Sequence, residues 1–124
     1  MEVKFSADKI TYGIHQEENY YMIGFSDNGD EPDQYVMVQR AVSFDEQDIE
    51  LGMNSYYFEY SDQSNSGYGI CKDVILKRDK AVFKLKENAI NNIISIEITF
   101  ENEELIENWN KFKNIFDKVF LTAN

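Results

Sequence analysis

Ile94, Ile96, Ile98 and Phe100 alternate with Ser95, Glu97 and Thr99. A strand over 94–100 would turn its apolar side chains to one side and its polar ones to the other. Ala81, Phe83 and Leu85 alternate with Lys80, Lys84 and Lys86, broken only by Val82. Ile10, Tyr12 and Ile14 alternate with Thr11 and Gly13, and Tyr56, Phe58 and Tyr60 with Tyr57 and Glu59. Each segment predicts a strand with one buried face. Two runs, Tyr20-Tyr21-Met22-Ile23 and Tyr35-Val36-Met37-Val38, are apolar throughout and predict central strands covered on both faces. Between them, Ser26-Asp27-Asn28-Gly29-Asp30-Glu31-Pro32-Asp33 is dense in turn formers, which makes 20–25 and 34–40 the arms of a hairpin. Arg78-Asp79 is expected to join a strand at 73–77 to the one at 80–86. Residues 61–67 read as a polar loop.

The period changes toward the C-terminus. Leu105, Trp109, Phe112, Phe116 and Val119 or Phe120 recur at spacings of three to four and form one stripe of an amphipathic helix. Asn102 suits its N-cap, Glu103, Glu104 and Glu107 suit the positive end of the helix dipole, and Lys111, Lys113 and Lys118 the other end. Residues 41–54 admit two readings. Ser43 and Glu46 fit a capping box, with Gly52 ending a short helix; the segment fits a structured loop equally. The expected fold class is α+β, mainly β: an antiparallel sheet built of hairpins, with one C-terminal amphipathic helix packed on it.

Length and composition narrow this further. A chain of 124 residues with eight Tyr, nine Phe and one Trp is expected to fold as a single domain over 1–124. At that size a chain buries about two-thirds of its unfolded surface and needs no metal or disulfide staple. Cys71 is the sole cysteine, so no intramolecular disulfide forms. Residues 1–8 have no apolar core, no run approaches a membrane span, and a cytoplasmic protein is the expectation.

The formal charge is −11, from 23 acids and 12 bases. It is concentrated: residues 13–71 hold twelve acids and one base, Arg40, whereas 72–86 hold six bases and two acids. Direct nucleic-acid binding and an anionic membrane are disfavoured by such a field, and a basic protein partner is favoured.

Catalytic and metal chemistry find little footing. His15 and Cys71 belong to no ligand motif. An EF-hand loop begun at Asp27 would put Gly29 at position three, Pro32 at position six and Val38 at position twelve, so the pattern fails. Gly67-Tyr68-Gly69 lacks the strand-to-helix context of a phosphate loop. Cys71 reads as a small apolar residue at a strand start, and His15 as the surface end of a strand. No catalytic residue, metal ligand or cofactor is expected.

Acids mixed with aromatics are the remaining signal. The candidate partner-binding residues are Asp27, Asp30, Glu31, Asp33, Asp45, Glu46, Asp48, Glu50 and Tyr57, with the acids of 27–33 and 45–50 expected on one face. The competing reading turns the tyrosines into the core and the acids to water.

Within residues 36–70, Gln39-Arg40, Phe44-Asp45-Glu46-Gln47-Asp48, Leu51-Gly52-Met53-Asn54, Tyr56-Tyr57, Glu59, Asp62-Gln63 and Tyr68-Gly69 follow in an order that resembles the immunity protein 10 family of bacterial polymorphic toxin systems. Family members often carry a second glycine after the Tyr-Gly step, where this chain has Ile70. The resemblance implies a small, mostly β, non-enzymatic protein that neutralises a cognate toxin by binding it. Where these shared residues serve to build the fold, Gly52 and Gly69 are expected as turn residues and Asp45 or Asp48 as loop-capping residues. Two other readings are a non-catalytic adaptor domain and a small ligand-binding β domain whose tyrosine-rich strands line a pocket.

Overall fold

The computed structural model describes residues 1–15, 17–28, 31–52 and 55–120. Among them nine strands form two sheets. The strands are β1 (Glu2–Ala7), β2 (Lys9–His15), β3 (Tyr20–Ser26), β4 (Tyr35–Ala41), β5 (Tyr57–Tyr60), β6 (Asp62–Tyr68), β7 (Cys71–Lys77), β8 (Lys80–Leu85) and β9 (Ser95–Phe100). A short helix α1 (Glu46–Glu50) lies between β4 and β5, and α2 (Trp109–Phe120) follows a 3₁₀ turn at Glu103–Leu105.

The hairpins form where the turn chemistry placed them: β3 with β4 around 27–34, and β7 with β8 around Arg78-Asp79. The mainly-β class with a C-terminal helix holds, but the strands divide into a five-stranded sheet, β2-β3-β4-β5-β6, and a four-stranded one, β1-β9-β8-β7. The chain crosses between the sheets twice, at Asp8 and, from β6 back to β7, at Gly69-Ile70. It leaves β1 in the smaller sheet and enters β2 in the larger after the single residue Asp8, whose N–H donates to Ser26 O (2.9 Å). β1 pairs with β9 in parallel, Glu2 opposite Ser95 and Ala7 opposite Phe100, and this is the one parallel pairing among the described strands.

Residues 61–67, expected as loop, fall largely within the edge strand β6 (Asp62–Tyr68). Their polar side chains build the hairpin: Ser61 turns the chain at φ 58°, Asn65 Nδ2 donates to Tyr60 O (3.3 Å) and Ser66 Oγ donates to Gln63 O (2.6 Å). An edge strand needs no second apolar face, so hydrophobic alternation does not mark it.

One hydrophobic core joins the sheets. Ile10, Ile23, Phe25, Val36, Val38 and Phe58 project from the larger sheet to meet Ala81, Phe83, Leu85, Ile96 and Ile98 of the smaller. Phe83 is the hub, with ring centroids 5.3 Å from Phe58 and 6.1 Å from Phe25. α2 adds Phe112, Ile115, Phe116 and Val119, all buried, and packs against β2, β3 and β4. Its Phe112 meets Tyr12 edge-on at 5.4 Å. Each of these rings contributes about 1.5–3 kcal/mol on burial before entropy is subtracted.

Helix starts differ from the sequence expectation. Asn102 caps the 3₁₀ turn, accepting from Glu104 N–H (2.9 Å), while Asn108 caps α2, accepting from Lys111 N–H (3.1 Å). Leu105 therefore packs on the core from the turn rather than from the helix. In the middle segment Asp45, not Ser43, is the N-cap. Its carboxylate accepts from Asp48 N–H (2.8 Å) and Asp48 returns the bond to Asp45 N–H (3.1 Å), a box shifted two residues from the one expected. Gly52, at φ +71°, closes this segment.

A candidate partner-binding face

Strand alternation gives the five-stranded sheet an inner face of core residues and an outer face of a different kind. Register fixes that outer face in rows. One row runs Gly13, Met22, Gln39, Tyr57, Tyr68 across all five strands. The next runs Thr11, Gly24, Met37, Glu59, Ser66. Lys9, Ser26 and Tyr35 lie at one end, and His15, Tyr20 and Ala41 at the other. The two apolar runs are thus central strands, but they are covered on one side only: Ile23, Val36 and Val38 are buried, whereas Met22 and Met37 are half-exposed. Tyrosine and methionine count as apolar in a periodicity, yet both suit a surface that meets a partner.

At the centre of this face sits Glu59, the one buried charged residue among those described, at 6% exposure. Tyr57 donates its hydroxyl to Glu59 Oε1 (2.6 Å), and Tyr35 donates to Oε2. Its hydrogen bond to Glu59, reinforced by partial burial, pushes the Tyr35 phenol up to about 12; Tyr57 is raised too, first by burial and then by the same carboxylate. Aromatic contacts order the rim: His15 stacks on Tyr20 at 4.6 Å, and Tyr57 lies 5.5 Å from Tyr68.

The candidate acids do not form one cluster. Asp27, Glu31 and Asp33 belong to the β3–β4 loop; α1 follows β4 at its opposite end, a strand length of about 20 Å away. Asp27 organises its loop, Oδ1 accepting from Asp33 N–H and Gln34 N–H at 3.0 Å each. Glu31, Asp33, Glu46 and Glu50 are exposed. Asp30 lies outside the described residues, as do Met53 and Asn54. Of the nine candidates, Asp48 and Tyr57 come together. They line a depression of about 220 Å³ with Tyr20, Gln39, Arg40, Ala41 and Tyr68. A second depression, about 320 Å³, opens at the other end of the face between Thr11, Gly24, Tyr35 and Met37.

Sequence reasoning missed Tyr35, Met22, Met37 and Tyr68 as members of one surface, and did not single out Glu59 among the acids of 44–60. The available signal was the period of two itself: carried through both apolar runs, it places Tyr20, Met22, Tyr35 and Met37 on one side and Tyr21, Ile23, Val36 and Val38 on the other.

Cys71 opens β7, half-buried. The Tyr56 hydroxyl accepts from its backbone N–H (2.9 Å) and donates to its carbonyl (3.3 Å), and burial pushes the thiol up to about 12. His15 ends β2 in an exposed position. Among the described residues, no three metal-ligating side chains gather. No described helix is long and apolar enough to cross a membrane.

No curated protein and no solved structure matches the chain. The family model for immunity protein 10 matches residues 6–105, a span that holds β2 to β9, the end of β1 and the 3₁₀ turn, and stops short of α2. Gly52 and Gly69 adopt positive φ, as expected of turn residues, and Asp45 and Asp48 cap the helix α1 rather than a loop. With that match covering both sheets, the chain belongs to the immunity protein 10 family.

Proposed function

We propose that this chain, acting as a single immunity-protein-like domain over 1–124, neutralises a cognate bacterial toxin in the cytoplasm by binding it directly through acidic surface, with no catalytic step and no cofactor. Membership of an immunity family carries the reading. The charge supports it: with −11 on 124 residues, a basic toxin surface is attracted over a distance, while nucleic acid and anionic membrane are repelled. Neutralisation by occupancy demands tight binding, and a nanomolar complex corresponds to about −12 kcal/mol. The depressions on the outer face are open to solvent, which suits a partner surface better than an enclosed small molecule.

Co-expression with the toxin encoded beside it is the direct test. Cells carrying both are expected to survive, and cells carrying the toxin alone to die. Joint neutralisation by Asp45→Asn, Glu46→Gln and Asp48→Asn keeps capping side chains at 45 and 48 while removing charge, and is expected to weaken binding. Death despite co-expression would defeat the immunity reading. Unchanged affinity in the triple variant would remove these acids from the contact.

A further inference from the structure

We infer that the outer face of the five-stranded sheet is the toxin-docking surface, and that it receives a lysine- or arginine-rich protein surface; the inference rests on the immunity reading above. Three observations meet on this face. The first is its chemistry. Met22, Met37, Tyr35, Tyr57 and Tyr68 stand half-buried or exposed around Gln39 and Glu59, a mixture of aromatic, thioether and amide groups typical of interface centres.

The second is charge. Between residues 13 and 71 Arg40 is the sole base. Its strand position points to the inner side, where Nη1 donates to Lys118 O (2.5 Å) and the guanidinium lies 5.1 Å from the Phe44 ring centroid, although the residue also borders the 220 Å³ depression near α1. Glu59 places a carboxyl group at the middle of the face, and among the described residues its side chain is bonded to phenols and to no base. Exposed acids of the β3–β4 loop and of α1 flank the face at its two ends. Lys4, Lys77, Lys80 and Lys84 sit on the far side of the molecule, on the outer face of the smaller sheet. Lys9, at one end of β2, stands on the outer face of the larger sheet as well. With Glu59 at the centre of that face and exposed acids at both ends, acids still outnumber bases there, and a cationic partner is steered to this side.

The third is preorganisation. Glu59 fixes two tyrosine hydroxyls, and stacking fixes Tyr20 on His15, so these rings lose little freedom when covered. The glycines keep the floor low beside them. At Gly24 a Cβ would strike Thr11 Oγ1 at 2.7 Å, whereas at Gly13 a Cβ would meet nothing within 4 Å and φ is outside the left-handed region. A side chain at 13 is therefore tolerated by the fold and projects into the space a partner would fill.

Gly13→Arg is thus the primary probe, with Tyr57→Ala as a second and Asn114→Arg, on the exposed side of α2, as a control of equal charge. Binding of the full chain to the purified neighbouring toxin is measured by calorimetry, and folding by circular dichroism. Gly13→Arg and Tyr57→Ala are each expected to weaken binding about tenfold or more, and the control to leave it within about twofold. If the natural chain binds but folded Gly13→Arg binds equally well, the toxin docks elsewhere and the inference fails alone. If the natural chain does not bind, the immunity reading fails and takes the inference with it. Sedimentation supplies a further outcome: self-association that Gly13→Arg abolishes would assign the face to a second copy and overturn the toxin as occupant.

Discussion

Glu59 shows how one side chain takes its meaning from two others. A carboxylate buried beside neutral groups is tolerated when its lone pairs are filled, and Tyr35 and Tyr57 fill them. The same bonds make the fold sensitive to base. Folding raises the Tyr35 pKa from 10.0 to about 12, so the folded state holds this proton more tightly than the unfolded one. Its stabilising contribution is complete below pH 10 and is lost as pH rises toward 12. Tyr56, Tyr57 and Cys71, all raised chiefly by burial, act in the same sense. Denaturation followed across that window is expected to show falling stability, with a shallower fall in Tyr35→Phe. The Cys71 thiol is expected to react with a thiol reagent near neutral pH far more slowly in the folded chain than in denaturant. Glycine carries a comparable constraint at position 69. There φ is +59° and a Cβ would lie 3.0 Å from Ser55 Oγ, whereas Gly52 has positive φ but open space. Gly69→Ala is expected to lose about 1–2 kcal/mol in denaturant melts, and Gly52→Ala less.

The two helices are held in different ways. α1 buries none of its residues and depends on the reciprocal Asp45–Asp48 cap. Asp45→Ala is expected to speed amide exchange over 46–50 with little change in global stability, and Ser43→Ala to change neither. α2 buries four side chains in the core, so loss of its cap reaches the whole fold. Asn108→Ala is expected to cost about 1 kcal/mol in global denaturation. Phe112→Ala, which removes a fully buried ring touching Tyr12, Phe25 and Phe116, is expected to cost about 3–5 kcal/mol. Strands differ in legibility for a related reason. β8 and β9 each have one face in the core and one in water, so their alternation is plain. β6 is an edge held by side-chain-to-backbone bonds and carries no such alternation. β1 matches a strand beyond ninety positions away, and no local pattern announces a parallel pairing of that reach.

Across the whole molecule the charge asymmetry becomes a geometry. The acidic 13–71 segment builds most of the larger sheet and both of its acidic flanks, while the basic 72–86 segment builds the hairpin of the smaller one. If a cationic toxin approaches the acidic side, its association rate falls steeply with added salt while dissociation changes less; stopped-flow measurement over a salt series checks this.

Alternation and stripe in the sequence settled most of the strands, though not β1 or β6, and that a helix follows the last of them; the segregation of the negative charge is likewise written there. These follow from local chemistry, because a side chain's solvent preference and its spacing are both written in the chain itself. Three things came only from packing. The strands part into two sheets because the chain crosses between them twice, at Asp8 and at Gly69-Ile70, and only packing reveals these crossings. Asp27 and Asp48 sit at opposite ends of a hairpin because β4 is seven residues long. Tyr35, Tyr57, Met37 and Glu59 share one outward surface because register, set by every strand at once, decides which alternate residues look away from the core.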